Sequence, residues 1–309
     1  MLNLSGSEDR ATGIQRPRRL PDGVVVITLD LDEPPPHPPP RVGVLEGCRG
    51  LYAYTFLYAY FLSVYSIVLC GIRMSLDFTK LVRRVYETIA VSYGYLRRRL
   101  WAPVGIIVED KGIYLDGGCG PGQYSVYLAN RFNVEVVCID IAYNMVDLTY
   151  KRARNKGVDL LVHCVQGDLL KLPFRNNSFN GGFYIASLHH IPGFKGRLRC
   201  LIEFLRVVKK NSRIFITVWS LVQPRFMDYI VKWAVWRLRG IKLDFGDNLV
   251  PWRHRGKILW RYYHLFTLPE LKRLLSIIKD VKCIFGSIRV YSKVFPENYY
   301  SACVVNKQT

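Results

Sequence analysis

The 309-residue sequence has little acidic charge and few histidines. It contains 24 Asp and Glu residues against 44 Lys and Arg residues, so its formal net charge is +20. Such an excess favours anionic partners, such as nucleic acid or an acidic membrane surface. Residues 1–73 contain no Lys and balance seven Arg against seven acidic residues, so the full +20 lies in residues 74–309.

The sequence also lacks the cysteine spacing of a zinc site or a disulfide framework. Its eight cysteines are scattered, with no C-x-x-C pair and no Cys/His spacing suited to zinc. The length of the chain argues against a small disulfide-rich domain, and nothing marks a secreted context. We therefore predict no metal site, and we expect most cysteines to be buried as small apolar residues in a reducing cytoplasm.

The first 73 residues differ in composition from the rest. Residues 34–40 read PPPHPPP, a run that favours polyproline II, and residues 1–50 are predicted to be disordered. Residues 50–72 carry no charge and are long enough to span a bilayer. Three interpretations stay open: a membrane anchor, a helix packed on the main domain, or a misplaced start codon upstream of Met74. The foreign composition favours the last.

From residue 112 onward, apolar strands alternate with helices. Strands are predicted at 112–116, 134–140, 160–168, 179–187 and 213–220. Helices are predicted at 122–132, 141–157 and 196–210. This alternation predicts an α/β fold with a doubly wound, mostly parallel sheet, in which ligands bind at the carboxyl ends of the strands.

A glycine-rich loop, DGGCGPG at residues 116–122, follows the first of these strands. Its pattern D-x-G-x-G-x-G differs from the dinucleotide fingerprint G-x-G-x-x-G, and a leading carboxylate suits a cationic or neutral ligand better than a phosphate. Asp140 ends the second strand, where a carboxylate can bind ribose hydroxyls, and Asp168 ends the third, where it can meet an adenine amino group. Three acids at successive strand ends beside this loop are hard to attribute to ordinary turns.

These segments resemble the class I S-adenosylmethionine-dependent methyltransferases. YLDGGCGPG is similar to the first motif of that family, VEVVCID to its second, and GDLLKLPFRNNSF to the stretch from the third strand into the fourth. The resemblance covers about residues 80–309 and implies a seven-stranded sheet ending in an antiparallel hairpin, formed by VKCIFGSIRV and NYYSACVVN. Two positions depart from the pattern: Gly117 replaces a bulky residue, and Asn180 stands where many members have Asp.

The resemblance implies S-adenosylmethionine as the cofactor. Its binding residues are expected in the glycine loop and just after the following strands. They are Asp116, Gly118, Cys119, Gly120, Gly122, Asp140, Ile141, Met145, Asp168, Leu169 and Ala186.

Four further segments are similar to one subfamily, the tRNA wobble-uridine methyltransferases. Members methyl-esterify 5-carboxymethyluridine in the anticodon loop, and some work with a small zinc-containing activator protein. The similar segments are YETIAVSYGYLRRRLW (86–101), IASLHHI (185–191), TVWSLVQ (217–223), and LVPWRHRG followed by RYYHLFTLPELKRLL (249–275). The resemblance implies tRNA as a partner.

A carboxylate acceptor is already ionised at neutral pH, so the site needs no strong general base. His189 is predicted to face the pocket as a neutral donor or a shape element, and His190 to pack or cap the following loop. The other substrate-side candidates come from an insertion at about 224–262 and the residues just after it, or else these residues form a structural aromatic-basic segment that packs the insertion on the sheet. They are Arg253, Arg261, Tyr262 and His264.

Basic residues near the N-terminal part of the domain are candidates for contacts with tRNA phosphates, or else form a solvated basic face. They are Arg83, Arg84, Arg97, Arg98, Arg99, Arg152 and Arg154. Two rival functions stay open. One is methylation of a small molecule such as a quinone precursor, with residues 50–72 at a membrane. The other is a non-catalytic RNA-binding protein of the same fold. The expected location is cytoplasmic.

Overall fold

A computed structural model of the chain describes residues 18–19, 25–26, 77–97, 99–226, 229, 233–234, 238, 243–289 and 294–307. Residues from Phe78 onward belong to one unit, and a second unit, residues 31–77, lies outside the described residues apart from Asp77. The proline run at 34–40 and the apolar segment at 50–72 therefore both fall outside them. Within the described ranges, no helix combines the length and apolar character needed to cross a membrane.

From residue 113 to residue 219, strands and helices alternate as the sequence pattern predicts. The prediction of disorder for residues 1–50 is wrong at residues 18–19 and 25–26, which form two short paired strands. The strands are β1 (Arg18–Arg19), β2 (Val25–Val26), β3 (Ile113–Gly117), β4 (Glu135–Asp140), β5 (Val162–Gln166), β6 (Phe179–Ile185), β7 (Val208–Trp219), β8 (Asp247–His254), β9 (Lys257–His264), β10 (Val281–Ile288) and β11 (Asn298–Val305). The α-helices are α1 (Phe78–Leu96), α2 (Gln123–Phe132), α3 (Tyr143–Asn155), α4 (Phe194–Val207) and α5 (Leu268–Ser276). Short 3-10 turns occupy Val104–Ile107, Leu188–His190 and Pro224–Phe226.

Seven strands form the central sheet in the order β10-β11-β7-β6-β3-β4-β5. The strands from β7 to β5 in that order pair in parallel, whereas β11 is antiparallel to both β7 and β10. This confirms the predicted fold, including its final antiparallel hairpin. The chain runs outward from β3 to β4 on one side and returns to β6 on the other, so the carboxyl ends of β3 and β6 flank the crevice where such sheets bind ligands.

The boundary between α4 and β7 differs from the predicted one. The helix was predicted to continue to residue 210, but it ends at Val207, and β7 begins at Val208, which pairs with Phe179 of β6. Two consecutive β-branched valines favour the extended chain at this point. Asn211, with a φ of 64°, then interrupts the regular strand.

The two positions that depart from the methyltransferase pattern have structural explanations. A Cβ atom on Gly117 would lie 1.9 Å from the Tyr184 ring, so this aromatic side chain of β6 fills the space that a bulky residue would need. The ring of Tyr184 stacks on Phe204 of α4 at 4.1 Å. The Asn180 side chain accepts hydrogen bonds from the Ile113 amide and the Lys209 ammonium group, and thereby ties neighbouring strands together.

The prediction for the cysteines is right for four of them and wrong for two. Cys119, Cys138, Cys164 and Cys200 are free and buried, as expected. Cys283 and Cys303, however, form a disulfide between β10 and β11. The register of the hairpin places them directly opposite each other, a relation that isolated cysteines in the sequence do not reveal. Cys48 and Cys70 lie outside the described residues.

A buried polar cluster fastens the β8–β9 hairpin to the helices. His264 lies between two carboxylates, with Nδ1 2.8 Å from Asp247 and Nε2 2.7 Å from Glu270. Arg197 of α4 is 1% exposed and lies 3.3 Å from Asp244 and 3.6 Å from Glu270. Burial lowers the pKa of His264, but its hydrogen bonds to the two carboxylates outweigh that effect, and the pKa lies above its ordinary value. A charged imidazole therefore stabilises the cluster.

This cluster predicts a pH-dependent stability. Because the pKa of His264 is raised on folding, its contribution is complete below about pH 6.5 and is lost as the pH rises through the folded-state pKa. At pH 6, we expect His264→Gln to lower the free energy of unfolding by about 3 kcal/mol, since one partner of a buried ionic cluster is removed. Urea unfolding at several pH values should show the difference from wild type shrinking toward pH 8.5. His163→Gln, at a surface histidine beside Glu135, serves as the control, and an equal pH trend in both variants would contradict the prediction.

Candidate active site

An open cavity lies where the crevice was expected, at the carboxyl ends of the parallel strands. One side is formed by the glycine loop, residues 116–122, and by the acids that end the neighbouring strands. A second group of lining residues is polar and aromatic, and we call it the aromatic wall. It consists of Tyr86, Tyr93, Arg97, His189, His190, Trp219 and Tyr263.

The glycine loop reaches its shape through left-handed backbone conformations. Gly118 has a φ of 71°, and a Cβ atom there would lie 2.5 Å from the Ser187 hydroxyl. Gly120 has a φ of 54°, and no atom lies within 4 Å of its hypothetical Cβ, so this position borders open space. The Asp140 carboxylate accepts hydrogen bonds of 2.9 Å from the Gly120 and Ala142 amides. The end of β4 thus holds the loop open beside the cavity.

Asp116 is buried, and Asp140 and Asp168 are partly buried at the ends of their strands. Asp116 accepts a 2.6 Å hydrogen bond from Ser125, and burial raises its pKa to about 7 despite that bond. Burial also raises the pKa of Asp140 to about 6, against the effect of the two amides that it accepts from. Asp168 lines the cavity and accepts a bond from the Leu170 amide. A cation placed between these groups would favour their ionised forms.

Several of the predicted cofactor residues line this side, and two do not. Those that line it are Asp116, Gly118, Cys119, Gly120, Asp140, Ile141, Asp168, Leu169 and Ala186. Gly122 instead starts α2, where a Cβ would collide with Thr149, and Met145 is buried among apolar residues of α1. Gln123 was not predicted. It lines the cavity, and its Oε1 atom is buried without a hydrogen-bond partner among the described residues.

These features fit S-adenosylmethionine. Asp140, with two oxygens at the end of the second strand, is placed to accept hydrogen bonds from ribose hydroxyls. Asp116 and the Gln123 carbonyl oxygen offer acceptors to the ammonium group of the methionine part. The open space at Gly120 allows the ligand to approach the backbone closely.

The segment after β6 turns both adjacent histidines into the cavity. Ala186 has a φ of 55°, a strained conformation for a residue with a Cβ, and its amide is held by Thr217 of β7. The next residues form a 3-10 turn rather than an extended strand. His189 and His190 therefore do not point to opposite sides, as an extended chain would require, and both line the cavity with their ring centroids 4.5 Å apart.

A chain of hydrogen bonds fixes His190 and runs along the aromatic wall. The Tyr262 carbonyl can only accept, so His190 Nδ1 donates to it at 3.0 Å. Burial lowers the pKa of His190 to about 3, so its ring is neutral and Nε2 accepts from the Tyr86 hydroxyl at 3.0 Å. The Tyr86 proton is then committed, and Tyr263 must donate to Tyr86 at 3.1 Å. Arg261 closes the chain by donating to Tyr263 at 2.9 Å.

The four predicted substrate-side residues of β8 and β9 have separate positions. Arg261 is buried and does not line the cavity itself, but it contacts Tyr263, which does. Its guanidinium lies over the rings of Trp252 and Tyr263. Tyr262 and His264 do not line the cavity, because alternate residues of a strand face opposite sides. Both instead bind Asp247. Arg253 is exposed on β8 and is also absent from the lining.

The residue that sequence reasoning missed on this strand is Tyr263. It lies between Tyr262 and His264, lines the cavity, and stacks on His189 with ring centroids 4.8 Å apart. Strict alternation along RYYH places Arg261 and Tyr263 on one face, and that signal was available in the sequence. Tyr86, Arg97 and Trp101, which belong to the N-terminal segment similar to the tRNA subfamily, also line the cavity.

The aromatic wall is cationic. Arg97 lines it, with its guanidinium 5.3 Å from the Tyr93 ring centroid, and Arg261 lies behind it. Neither arginine forms a salt bridge with an Asp or Glu of the described ranges. Desolvation lowers the pKa of His189 well below its ordinary value, so the histidines add no charge. The wall thus offers positive charge and hydrogen-bond donors to a ligand.

Comparison with known proteins agrees with this geometry. Residues 115–216 match the sequence profile of the family described as the methyltransferase domain. The tRNA (carboxymethyluridine(34)-5-O)-methyltransferase of Arabidopsis thaliana is 30% identical over 158 residues, which are 50% of this chain and 36% of that protein. Probable tRNA methyltransferase 9B of Mus musculus is 31% identical over 174 residues, which are 55% of this chain and 33% of that protein. The chain spans about a third of the length of these relatives.

A solved structure shows the same fold. The crystal structure of a SAM-dependent methyltransferase from Methanosarcina mazei is 21% identical, with a TM-score of 0.55, and the match covers 68% of this chain and 99% of that one. The seven-stranded sheet, the glycine loop with its strand-end acids and the matching family profile all agree. Residues 115–216 therefore carry a methyltransferase domain, and the sheet has the fold of the class I S-adenosylmethionine-dependent methyltransferases.

Proposed function

We propose that this protein methyl-esterifies the carboxymethyl group of a modified wobble uridine in tRNA. The observation that carries the proposal is the aromatic wall, which offers the positive charge of Arg97 and the Nε2–H donor of His189, and whose two histidines are weak bases. Two curated relatives are named as tRNA methyltransferases, one of them for carboxymethyluridine. A carboxylate needs no deprotonation before it reacts, whereas most hydroxyl and amine acceptors do.

Each side of the cavity has its own task in this reaction. Asp116, Asp140 and Gln123 hold the cofactor against the glycine loop. When bound, S-adenosylmethionine supplies an electrophilic methyl group, which the carboxylate oxygen attacks with a lone pair while the C–S bond breaks and its electrons stay on sulfur. Arg97 attracts the anionic acceptor toward the wall, and the buried aromatic rings limit the access of water. No proton has to leave, so the lowered pKa values of His189 and His190, which make both rings weak bases, do not impede the reaction.

The cation must not bind the attacking oxygen too tightly, because that oxygen loses its charge in the transition state. The position of Arg261 supports such an arrangement for one of the two arginines. Arg261 acts on the wall through the Tyr263 hydroxyl and does not itself line the cavity. The acceptor therefore experiences a favourable field with few direct ionic contacts to break.

A basic surface beside the cavity suits an RNA partner. Arg84 and Arg99 are exposed on and after α1, and Tyr95 of the same helix is 69% exposed. Ser92 of α1 lies 3.2 Å from His254, which places the turn of the β8–β9 hairpin, with exposed Lys257, next to this helix. Exposed arginines with an aromatic ring for stacking are typical of surfaces that bind single-stranded RNA loops. Arg98 lies outside the described residues.

The central test is methyl transfer by the full-length protein. With methyl-labelled S-adenosylmethionine and bulk tRNA that lacks the modification, label should appear in an alkali-labile uridine ester after digestion to nucleosides. The assay is run with and without the small zinc-containing activator that the resemblance implies. Asp140→Ala should abolish transfer by removing the proposed ribose ligand. Label confined to a lipid or small metabolite would support the small-molecule rival instead, and tRNA binding without transfer would support the non-catalytic one.

The buried acids predict a pH-dependent affinity for the cofactor. Asp116 and Asp140, with pKa values of about 7 and about 6, are partly protonated in weakly acidic solution, whereas the cationic ligand prefers them ionised. Binding therefore releases protons, and the affinity should rise about tenfold or more from pH 5.5 to pH 8 and then level off. Isothermal titration calorimetry measures this directly. Asp116→Asn should weaken binding and flatten the pH profile, whereas Asp110→Asn, at an exposed acid, should match wild type. If the cofactor affinity of wild type does not change with pH, the roles assigned to Asp116 and Asp140 are wrong.

The basic surface predicts salt-dependent tRNA binding. The logarithm of the binding constant should fall linearly with the logarithm of the salt concentration, with a slope of about −0.7 to −0.9 per phosphate contact. Arg84→Ala and Arg99→Ala should each make this slope shallower by the amount expected for about one phosphate contact. Lys210→Ala, at the amino end of β7 and away from the cavity, is the matched control. Equal slopes for all the variants would show that the RNA binds elsewhere.

A further inference from the structure

One hydrogen-bond donor of the aromatic wall has no partner. His189 is 1% exposed, and its Nε2 atom is buried without a hydrogen bond among the described residues. Its other nitrogen, Nδ1, lies 3.3 Å from the Trp219 backbone amide, which can only donate. Nδ1 is therefore the acceptor, and in the neutral ring the proton resides on Nε2. A buried N–H group without a partner costs free energy unless a ligand or water satisfies it.

The surrounding side chains hold this donor in one orientation. The His189 ring stacks on Tyr263 with an interplanar angle of 18°, and the His190 ring packs against it edge-on. The two histidines have opposite tautomers, since His190 carries its proton on Nδ1. The hydroxyl protons of Tyr86 and Tyr263 are both committed to the hydrogen-bond chain, so neither can replace the His189 donor.

The structure assigns His189 as the residue that binds the acceptor carboxylate, through Nε2–H to one of its two oxygens. The other oxygen is left to attack the methyl group. The assignment rests on the proposed function, because it names the residue that recognises the acceptor of that reaction. A neutral donor suits this role better than a cation, because it orients the carboxylate without holding its charge as tightly.

Two substitutions, each of which replaces one ring nitrogen of His189 by a side-chain amide atom, separate its functional role from a structural one. In His189→Asn, the side-chain oxygen can take the place of Nδ1 and still accept from the Trp219 amide, but the donor toward the cavity is lost. In His189→Gln, the amide nitrogen reaches the position of Nε2 and retains the donor. We expect the Asn variant to raise the KM for 5-carboxymethyluridine tRNA by about tenfold to a hundredfold, and the Gln variant to stay within about threefold of wild type. Cofactor binding, measured by calorimetry, should be unchanged in both.

A second measurement detects the Nε2–H group of His189 directly. The chain has six histidines, so ¹⁵N-histidine labelling gives a simple NMR spectrum. The Nε2–H signal of His189, identified by its loss in the Asn variant, should shift when acetate or 5-carboxymethyluridine is added and should shift less with the methyl ester of the nucleoside. The His163→Gln variant identifies the NMR signal of His163, a surface histidine that serves as the control.

The outcomes distinguish the two proposals. If wild type does not methylate tRNA but the His189 signal still shifts with acetate, the tRNA function fails and the carboxylate site stands. If wild type methylates tRNA and the Asn variant retains the wild-type KM, the assignment of His189 is overturned. The same conclusion follows if the signal does not respond to any carboxylate.

Discussion

The aromatic wall depends on one directed chain of hydrogen bonds, from Arg261 through Tyr263 and Tyr86 to His190 and the Tyr262 carbonyl. Each member has its proton placed by the next, and the carbonyl at the end can accept but not donate. The chain connects α1, the turn after β6 and β9, three segments that are far apart in the sequence. Because it permits only one arrangement of protons, it commits the hydroxyl protons of Tyr86 and Tyr263, whereas the Nε2–H of His189 lies outside the chain and stays available as a donor.

The cofactor side of the cavity is built on a different principle. Asp116 and Asp140 accept hydrogen bonds from a hydroxyl and from backbone amides, and neither forms a salt bridge with a Lys or Arg of the described ranges. Burial raises their pKa values toward neutrality, which is unfavourable for the protein alone and becomes favourable when a positively charged ligand enters. The two sides are thus complementary to two ligands of opposite charge. In the proposed reaction, such a cavity would hold a cationic methyl donor beside an anionic acceptor, and each ligand would improve the electrostatic environment of the other.

The fold and the cofactor side could be predicted from the sequence, because both depend on local signals. Apolar strands, a D-x-G-x-G-x-G loop and acids at strand ends are each readable within a few residues. The acceptor side was predicted less well, because its residues come from distant segments and only their faces decide whether they meet. Tyr262 and His264 were chosen for their chemistry, yet they point away from the cavity, and Tyr263 was missed. The Cys283–Cys303 bond depends in the same way on a strand register that the sequence does not state.

The β9 strand shows how one short segment carries two tasks. Its alternate residues Arg261 and Tyr263 face the wall, whereas Tyr262 and His264 face the polar cluster around Asp247. The cluster anchors the strand to α4 and α5 through Arg197 and Glu270, and this anchorage fixes the position of the other face. A loss of the cluster would therefore disturb the cavity indirectly, by releasing the hairpin. A substitution on the wall would change acceptor binding while the hairpin stays in place, so the two faces can be distinguished by comparing stability with acceptor affinity.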